Sequence, residues 1–323
     1  MNKIDLLKLP NIKTKEDLNH LLLFTNKQLE KFILLKSQQY VSFRIPKKNS
    51  DKKRIINAPK KYLKMVQRII LKEILEKIPC SNSSTAFLKK KNGLLENAKI
   101  HKENLFLLKI DFCNFFQSIK YNKVKDIFLS VGYNEEVSSY FAELCTFSRE
   151  LPQGGICSPY ISNLACIELD KEIENYCNCR NISYTRYADD LIFSANEDKL
   201  LLKLKEDIPG IISKFHTEYF QISINEKKTK FIREPWHKKV TGVTINDNQI
   251  KASKKLKREI RQELYFALVK NKKDNNKLIG QIAFVKSIEE DYGLKIKEYA
   301  NKIYQNSEIK NDELLITISK IAS

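Results

Sequence analysis

The chain has no run of 18 or more uncharged apolar residues, so no membrane-spanning helix is expected. Its first residues, Met1-Asn2-Lys3-Ile4-Asp5, lack the apolar region and small-residue cleavage site of a signal peptide, and a cytoplasmic location is expected. Cysteine occurs seven times (Cys80, Cys113, Cys145, Cys157, Cys166, Cys177, Cys179), an odd number with no C-x-x-C pair, which suits neither a disulfide framework nor a zinc site. The four histidines are scattered as well, so free thiols in a reducing compartment are expected. No internal repeat or low-complexity linker marks a domain boundary.

What is present is a 323-residue chain, 42% hydrophobic, long enough to bury a core and to form two or three sub-domains. Lys and Arg total 58 against 39 Asp and Glu, and the net charge of +19 points to a polyanionic partner, nucleic acid ahead of an anionic membrane. Within residues 251–277 ten basic residues stand against three acids, a net +7 in one segment.

Residues 14–37 begin with a capping-box pair, Thr14 and Asp17, and carry helical spacing that fits one helix or two. Residues 41–59 read as a hairpin with the basic tip Lys47-Lys48-Asn49-Ser50-Asp51-Lys52-Lys53, and residues 60–78 as a long amphipathic helix ending at Pro79. Residues 105–110 form a short apolar strand that delivers Asp111 at its end. Helices are predicted at 122–131, closed by Gly132, and at 134–148; a further helix runs to about Tyr176, with Ser158 as N-cap and Pro159 as first residue. Residues 184–187 and 191–193 read as strands joined by a hairpin tip, Ala188-Asp189-Asp190. A helix at 197–215, a strand at 221–224, a hairpin over 240–250 turning at Asn246-Asp247-Asn248, and a helical, Lys-rich remainder complete the reading.

Phosphoryl transfer from a nucleoside triphosphate uses two divalent ions about 4 Å apart on hard oxygen ligands. Asp111, Asp189 and Asp190 supply three carboxylates with no adjacent base, an arrangement that makes physical sense chiefly with cations between them. Taken alone, Asp189-Asp190 reads equally as a solvated turn. The wider pattern resolves this. Tyr187-Ala188-Asp189-Asp190 resembles the Y-x-D-D box of reverse transcriptases, and Lys109-Ile110-Asp111-Phe112-Cys113-Asn114-Phe115-Phe116 resembles that family's first catalytic Asp motif. Leu151-Pro152-Gln153-Gly154-Gly155, followed by Ser158-Pro159, resembles the L-P-Q-G box that lies between them, in the family's order and spacing.

The resemblance implies that Asp111, Asp189 and Asp190 are catalytic and, with the backbone carbonyl of Phe112, hold two Mg2+ ions, Mn2+ remaining open because both accept octahedral oxygen ligands. It implies a dNTP pocket made by Gln153 and Gly154, by Arg54 gripping the triphosphate with Lys47 and Lys48 near it, which read equally as a solvated tip, and by Lys228, for which Lys227 is the alternative. Phe116 matches the aromatic that fills the space of a ribose 2′-hydroxyl, and also reads as ordinary core. Asn97-Ala98-x-x-His101 and Val240-Thr241-Gly242 resemble two signature boxes of retron reverse transcriptases and imply RNA contact, although His101 by itself also reads as a structural histidine.

The resemblance spans roughly residues 40 to 300. It implies an α+β right-hand polymerase fold: N-terminal helices and fingers over 1–104, a mixed α/β palm over 105–245 and a helical thumb over 246–323, with no RNase H, maturase or endonuclease domain. Lys254, Lys255, Lys257, Arg258 and Arg261 are the expected duplex- or RNA-binding surface, which also reads as a solvated basic face. Implied partners are a structured non-coding RNA acting as template and primer, its RNA–DNA hybrid, dNTPs and an effector or toxin encoded nearby. The implied reaction copies part of that RNA into branched, RNA-linked single-stranded DNA from an internal guanosine 2′-hydroxyl, in phage defence. Two alternatives stay open: another bacterial reverse transcriptase, of group II intron or protein-primed or untemplated defence type, and a catalytically silent RNA-binding scaffold.

Overall fold

The computed structural model describes residues 3–47, 51, 53–89, 93–233, 238–246, 249–270, 274–306 and 311–322. Lys48, Asn49, Ser50 and Lys52 of the expected basic tip, and Asp247 and Asn248 of the expected turn, lie outside the described residues. The chain divides into two compact units, one formed by Met1–Gly93 with Phe106–Phe231, the other by Leu94–Leu105 with Ile232–Ser323.

In the first unit, residues 14–37 form two helices, Lys15–Leu22 and Asn26–Leu34, because each has its own capping box, Thr14 with Asp17 and Thr25 with Gln28, and Leu23 breaks the chain at φ 58°. Strands β1 (Tyr40–Pro46) and β2 (Lys53–Pro59) make the expected antiparallel ribbon. The amphipathic helix that follows is Lys61–Glu73, with Leu63, Val66 and Ile70 buried. At the centre, β3 (Phe106–Cys113) pairs antiparallel with β5 (Asp190–Ala195), and β5 with β4 (Ser183–Tyr187). The short β6 (Ser223–Ile224) and β7 (Lys230–Ile232) add to β3. Helices Ile167–Asn178 and Asp198–Ser213 pack on this sheet, joining Leu108, Ile110, Leu191 and Phe193 of the strands to Ile173, Leu201, Leu204 and Ile208 in one core.

Four expectations change in detail. The strand over 105–110 continues through Cys113, so Asp111 lies inside it rather than at its end. Asp190 is the first residue of β5, leaving only Ala188 and Asp189 in the turn. The single helix ending near Tyr176 is two, Ser158–Ala165 and Ile167–Asn178, split at Cys166. Ser158 is the first helical residue rather than the N-cap: Cys157 stands at the cap with no capping side chain, and Ser158 Oγ is buried without a hydrogen bond.

In the second unit the expected hairpin over 240–250 is a three-stranded meander, β8 (Lys238–Val240), β9 (Val243–Asn246) and β10 (Gln249–Lys251). Its first turn is the pair Thr241-Gly242, both at positive φ (47° and 95°), the conformation that a tight two-residue hairpin turn favours. Four helices follow, Lys254–Val269, Asn276–Ile288, Tyr292–Gln305 and Asp312–Ala322, around a core of Ile260, Leu264, Ile282, Val285, Ile296 and Ile318. Among the described residues no helix is long and apolar enough to cross a membrane.

Candidate active site

The central sheet brings the three acids together by register alone. Asp111 on β3 is directly opposite Asp190 on β5, and Tyr187 pairs with Asp190 across the β4–β5 turn, which leaves Asp189 at the tip. Ala188 makes that turn in the left-handed region, φ 58°, a strained conformation for a residue with a Cβ. The Phe112 N–H fixes the tip by donating to the Asp189 carbonyl at 3.0 Å. Asp111 is buried and held from the other side by Asn225, whose backbone N–H donates to the Asp111 carbonyl (2.8 Å) and whose side-chain amide reaches Oδ2 (3.3 Å).

The electrostatics of this cluster are unbalanced. Burial pushes the Asp190 carboxyl up to about 6, helped by the charges of Asp189 and Asp111, and burial with the Asp111 charge raises Asp189 as well. Lys228 supplies a compensating charge, its ammonium 2.8 and 2.9 Å from the two Asp111 oxygens. Burial works to lower the Lys228 pKa, but the bond to Asp111 and the other two acids raise it overall. The donor set is therefore all oxygen and over-negative, with an ammonium already drawn onto it. That is the chemistry a hard divalent cation fits.

Two of the residues expected to shape a nucleotide pocket, Gln153 and Gly154, stand against the ribbon. The Asn57 N–H on β2 donates to the Gln153 carbonyl (2.8 Å), and Gly154 at φ 117° lies so close to β2 that a Cβ would meet Ile56 Cγ2 at 2.8 Å and the Asn57 carbonyl oxygen at 3.0 Å. Arg54 on the same strand is exposed, and its charge offsets a small part of the rise that burial imposes on the Asp189 carboxyl. Phe116 is half-buried, edge-on to Phe115 at 5.7 Å.

Three supporting residues escaped the sequence reading, Asn225 among them. Gln67, fully buried on helix Lys61–Glu73, accepts from the Ile156 N–H (2.9 Å) and donates to the Leu144 carbonyl (2.8 Å) and the Tyr40 hydroxyl (3.1 Å), tying the loop after Gly155 to three elements. Arg186, fully buried one residue before Tyr187, makes a two-pronged ion pair with buried Asp170 (Nε to Oδ1 2.8 Å, Nη2 to Oδ2 2.7 Å). Its Nη1 donates to Asn163 Oδ1 and to the Ala188 carbonyl, both at 3.2 Å, so the strained turn at Ala188 and Asp189 rests on this guanidinium. Tyr184 completes the set by donating to Asp170 at 2.9 Å.

The two shorter boxes meet in the second unit. Asn97, Ala98 and His101 are buried on helix Gly93–His101, and Asn97 Nδ2 donates to Thr241 Oγ1 at 3.4 Å. Val240 is buried too, while Gly242 is exposed with open space around it, so its φ rather than crowding calls for glycine there. Of the five basic residues expected on the first C-terminal helix, Lys254, Lys255, Arg258 and Arg261 are exposed; Lys257 is bound to both oxygens of Glu289 at 2.9 Å.

Comparison with known proteins shows the family to which the chain belongs. Residues 45–245 match the family described as reverse transcriptase (RNA-dependent DNA polymerase). The chain is similar to the retron Ec86 reverse transcriptase of Escherichia coli, 31% identical over 296 residues that cover 91% of each protein. It is similar also to the retron Ec83 reverse transcriptase of the same organism, 32% identical over 86% of this chain and 92% of the other.

Proposed function

Because the chain belongs to the reverse transcriptase family, with the α+β right-hand polymerase fold, and is an RNA-directed DNA polymerase of a retron, we propose that Asp111, Asp189 and Asp190 are its catalytic acids. Reverse transcriptases generally use divalent metal ions, and in this reading two Mg2+ ions, or Mn2+, are held by the three carboxylates and the Phe112 carbonyl. Such ions activate the attacking hydroxyl and neutralise the leaving pyrophosphate. The observation that carries the reading is the direct register of Asp111 with Asp190, with Asp189 tied to Phe112 beside them.

Around the acids, Arg54 and Lys228 bind the triphosphate, Gln153 and Gly154 shape the nucleotide pocket, and Phe116 excludes a ribose 2′-hydroxyl. Lys228, which bonds Asp111 here, would be free to serve the triphosphate if cations balanced the cluster. Residues 1–104 act as N-terminal helices and fingers, 105–245 as palm and 246–323 as thumb. Exposed Lys254, Lys255, Arg258 and Arg261 track duplex phosphates, a contact that weakens with salt. Thr241 and Gly242 present a further RNA contact, their turn bonded by buried Asn97 and backed by the buried Ala98, His101 and Val240 of the same boxes.

The substrate in this reading is a structured non-coding RNA, primed at an internal guanosine 2′-hydroxyl and copied into branched RNA-linked DNA. The work is done in the cytoplasm and in phage defence, beside an effector encoded nearby. Expression with the flanking locus, followed by gel analysis of small nucleic acids before and after RNase, tests it. A DNA band that shifts with RNase and is absent for Asp189→Asn is expected; no such band, with protein folded and RNA present, would remove the branched product from the reading.

A further inference from the structure

Next to the catalytic turn stands an aromatic residue in a backbone conformation that bulky L-residues avoid. Phe87 has φ 64°, in the left-handed region, and is 43% exposed. The chain around it is well anchored. The Thr85 N–H and hydroxyl donate to the Arg186 carbonyl (2.9 and 3.2 Å), the Ala86 carbonyl accepts from Asn163 Nδ2 (2.8 Å), Ala86 is fully buried, and Leu88 packs against the core. Gly93 closes in from the other side, where a Cβ would run into the Thr85 carbonyl oxygen. The Phe87 ring lies 6.4 Å from that of Tyr187, at 42° between planes, so two rings stand together beside the turn that carries Asp189.

A fold that holds a phenylalanine strained and half out of the protein, with fixed neighbours, is maintaining that ring's position against both backbone preference and hydration. We propose that Phe87, with Tyr187, forms a stacking platform for a nucleotide of the nucleic-acid chain bound at the acids. The net charge of +19 attracts the phosphate backbone but cannot fix where along it the reacting end lies. A ring face placed within reach of the acids can, and it does so for any sequence because every base has a π-face. The inference rests on the polymerase reading and is independent of priming from a 2′-hydroxyl.

The test compares the full chain with Phe87→Gly, Phe87→Leu and Phe87→Tyr on a DNA-primed RNA template, measuring Kd by fluorescence anisotropy, extension kinetics and Tm. Glycine takes φ 64° without strain, so Phe87→Gly should keep its Tm within about 4 °C of the parent. Its Kd for the primed template should nonetheless rise about tenfold, as loss of one stacked base predicts, with KM for dNTP unchanged. Phe87→Leu should weaken binding similarly, and Phe87→Tyr should bind as the parent does. Equal affinity for Phe87→Gly, Phe87→Leu and the parent overturns the proposal, as does weakening that merely follows a lost Tm. A parent protein that cannot extend the primed template overturns the polymerase reading and this proposal with it, a result distinct from active variants that bind normally.

Discussion

Two ionic groups meet at the β4–β5 hairpin, one through Arg186 and the other through Asp189 and Asp190, and they are built in opposite ways. The Arg186–Asp170 pair is fully buried, and four of the five guanidinium N–H groups have named acceptors, with the carboxylate taking Tyr184 as well. The acid cluster has three carboxylates, one ammonium and, at Asp190, a pKa displaced to about 6. The first group is electrostatically closed and can only hold its neighbours in place. The second is left open and unbalanced, which costs stability in the protein alone and which the proposed cations would relieve. A closed network under an open one is how a strained turn keeps its shape while its side chains stay available for chemistry.

The largest effect that would break this comparison is on the open side. Asp189→Asn keeps the size of the side chain and removes a proposed cation ligand, so extension of a primed template should fall about a thousandfold or more with little change in Tm. A variant retaining a tenth of parental activity would show that Asp189 is not in the reacting set.

On the closed side the prediction concerns stability first. Asp170→Ala strands a buried guanidinium and should cost about 3–5 kcal/mol, read from denaturant midpoints. The double change Asp170→Leu with Arg186→Met removes both charges and should recover most of that loss. Activity should not recover with it, because the Ala188 carbonyl has lost its donor. A stable double variant with full kcat would mean that Arg186 serves the fold and does not position the turn.

The same contrast explains what the sequence made legible. The acids, Gln153 and Gly154 sit in contiguous boxes whose residue types announce their chemistry, and the strands around Asp111 and Asp190 follow from short apolar runs. That Lys228 bonds Asp111 needed the phase of the short helical turn Glu226–Lys228, which periodicity does not resolve. Gln67 and Asn225 act through partners 89 and 114 positions away, so neither has a local signature. Arg186 and Asp170 read as ordinary surface charges until the fold pairs them, though an arginine inside a β-rich segment and an aspartate among buried helix positions were the available hints. The turn at Thr241-Gly242 was missed because a β-branched residue at positive φ is rare, and the Asn97 bond across to it is non-local.

The smallest effect sharpens the comparison from within the open group. Because the folded-state pKa of Asp190 is raised above its ordinary 3.8 to about 6, the folded protein holds this proton more tightly than the unfolded chain does. The sign follows: the stability it contributes is present below about pH 4 and is lost as pH rises to about 6, where the buried carboxylate ionises against Asp189 and Asp111. Asp190→Asn should therefore stabilise the metal-free protein at pH 7 by about 1 kcal/mol, after allowance for solvent screening of a partly exposed group, and should flatten stability between pH 4 and 6. Added Mg2+ should raise the Tm of the parent and do little for the variant, since the ion relieves the repulsion that asparagine has already removed. Equal Mg2+ stabilisation of both proteins would place the cation elsewhere and leave the open group without its function.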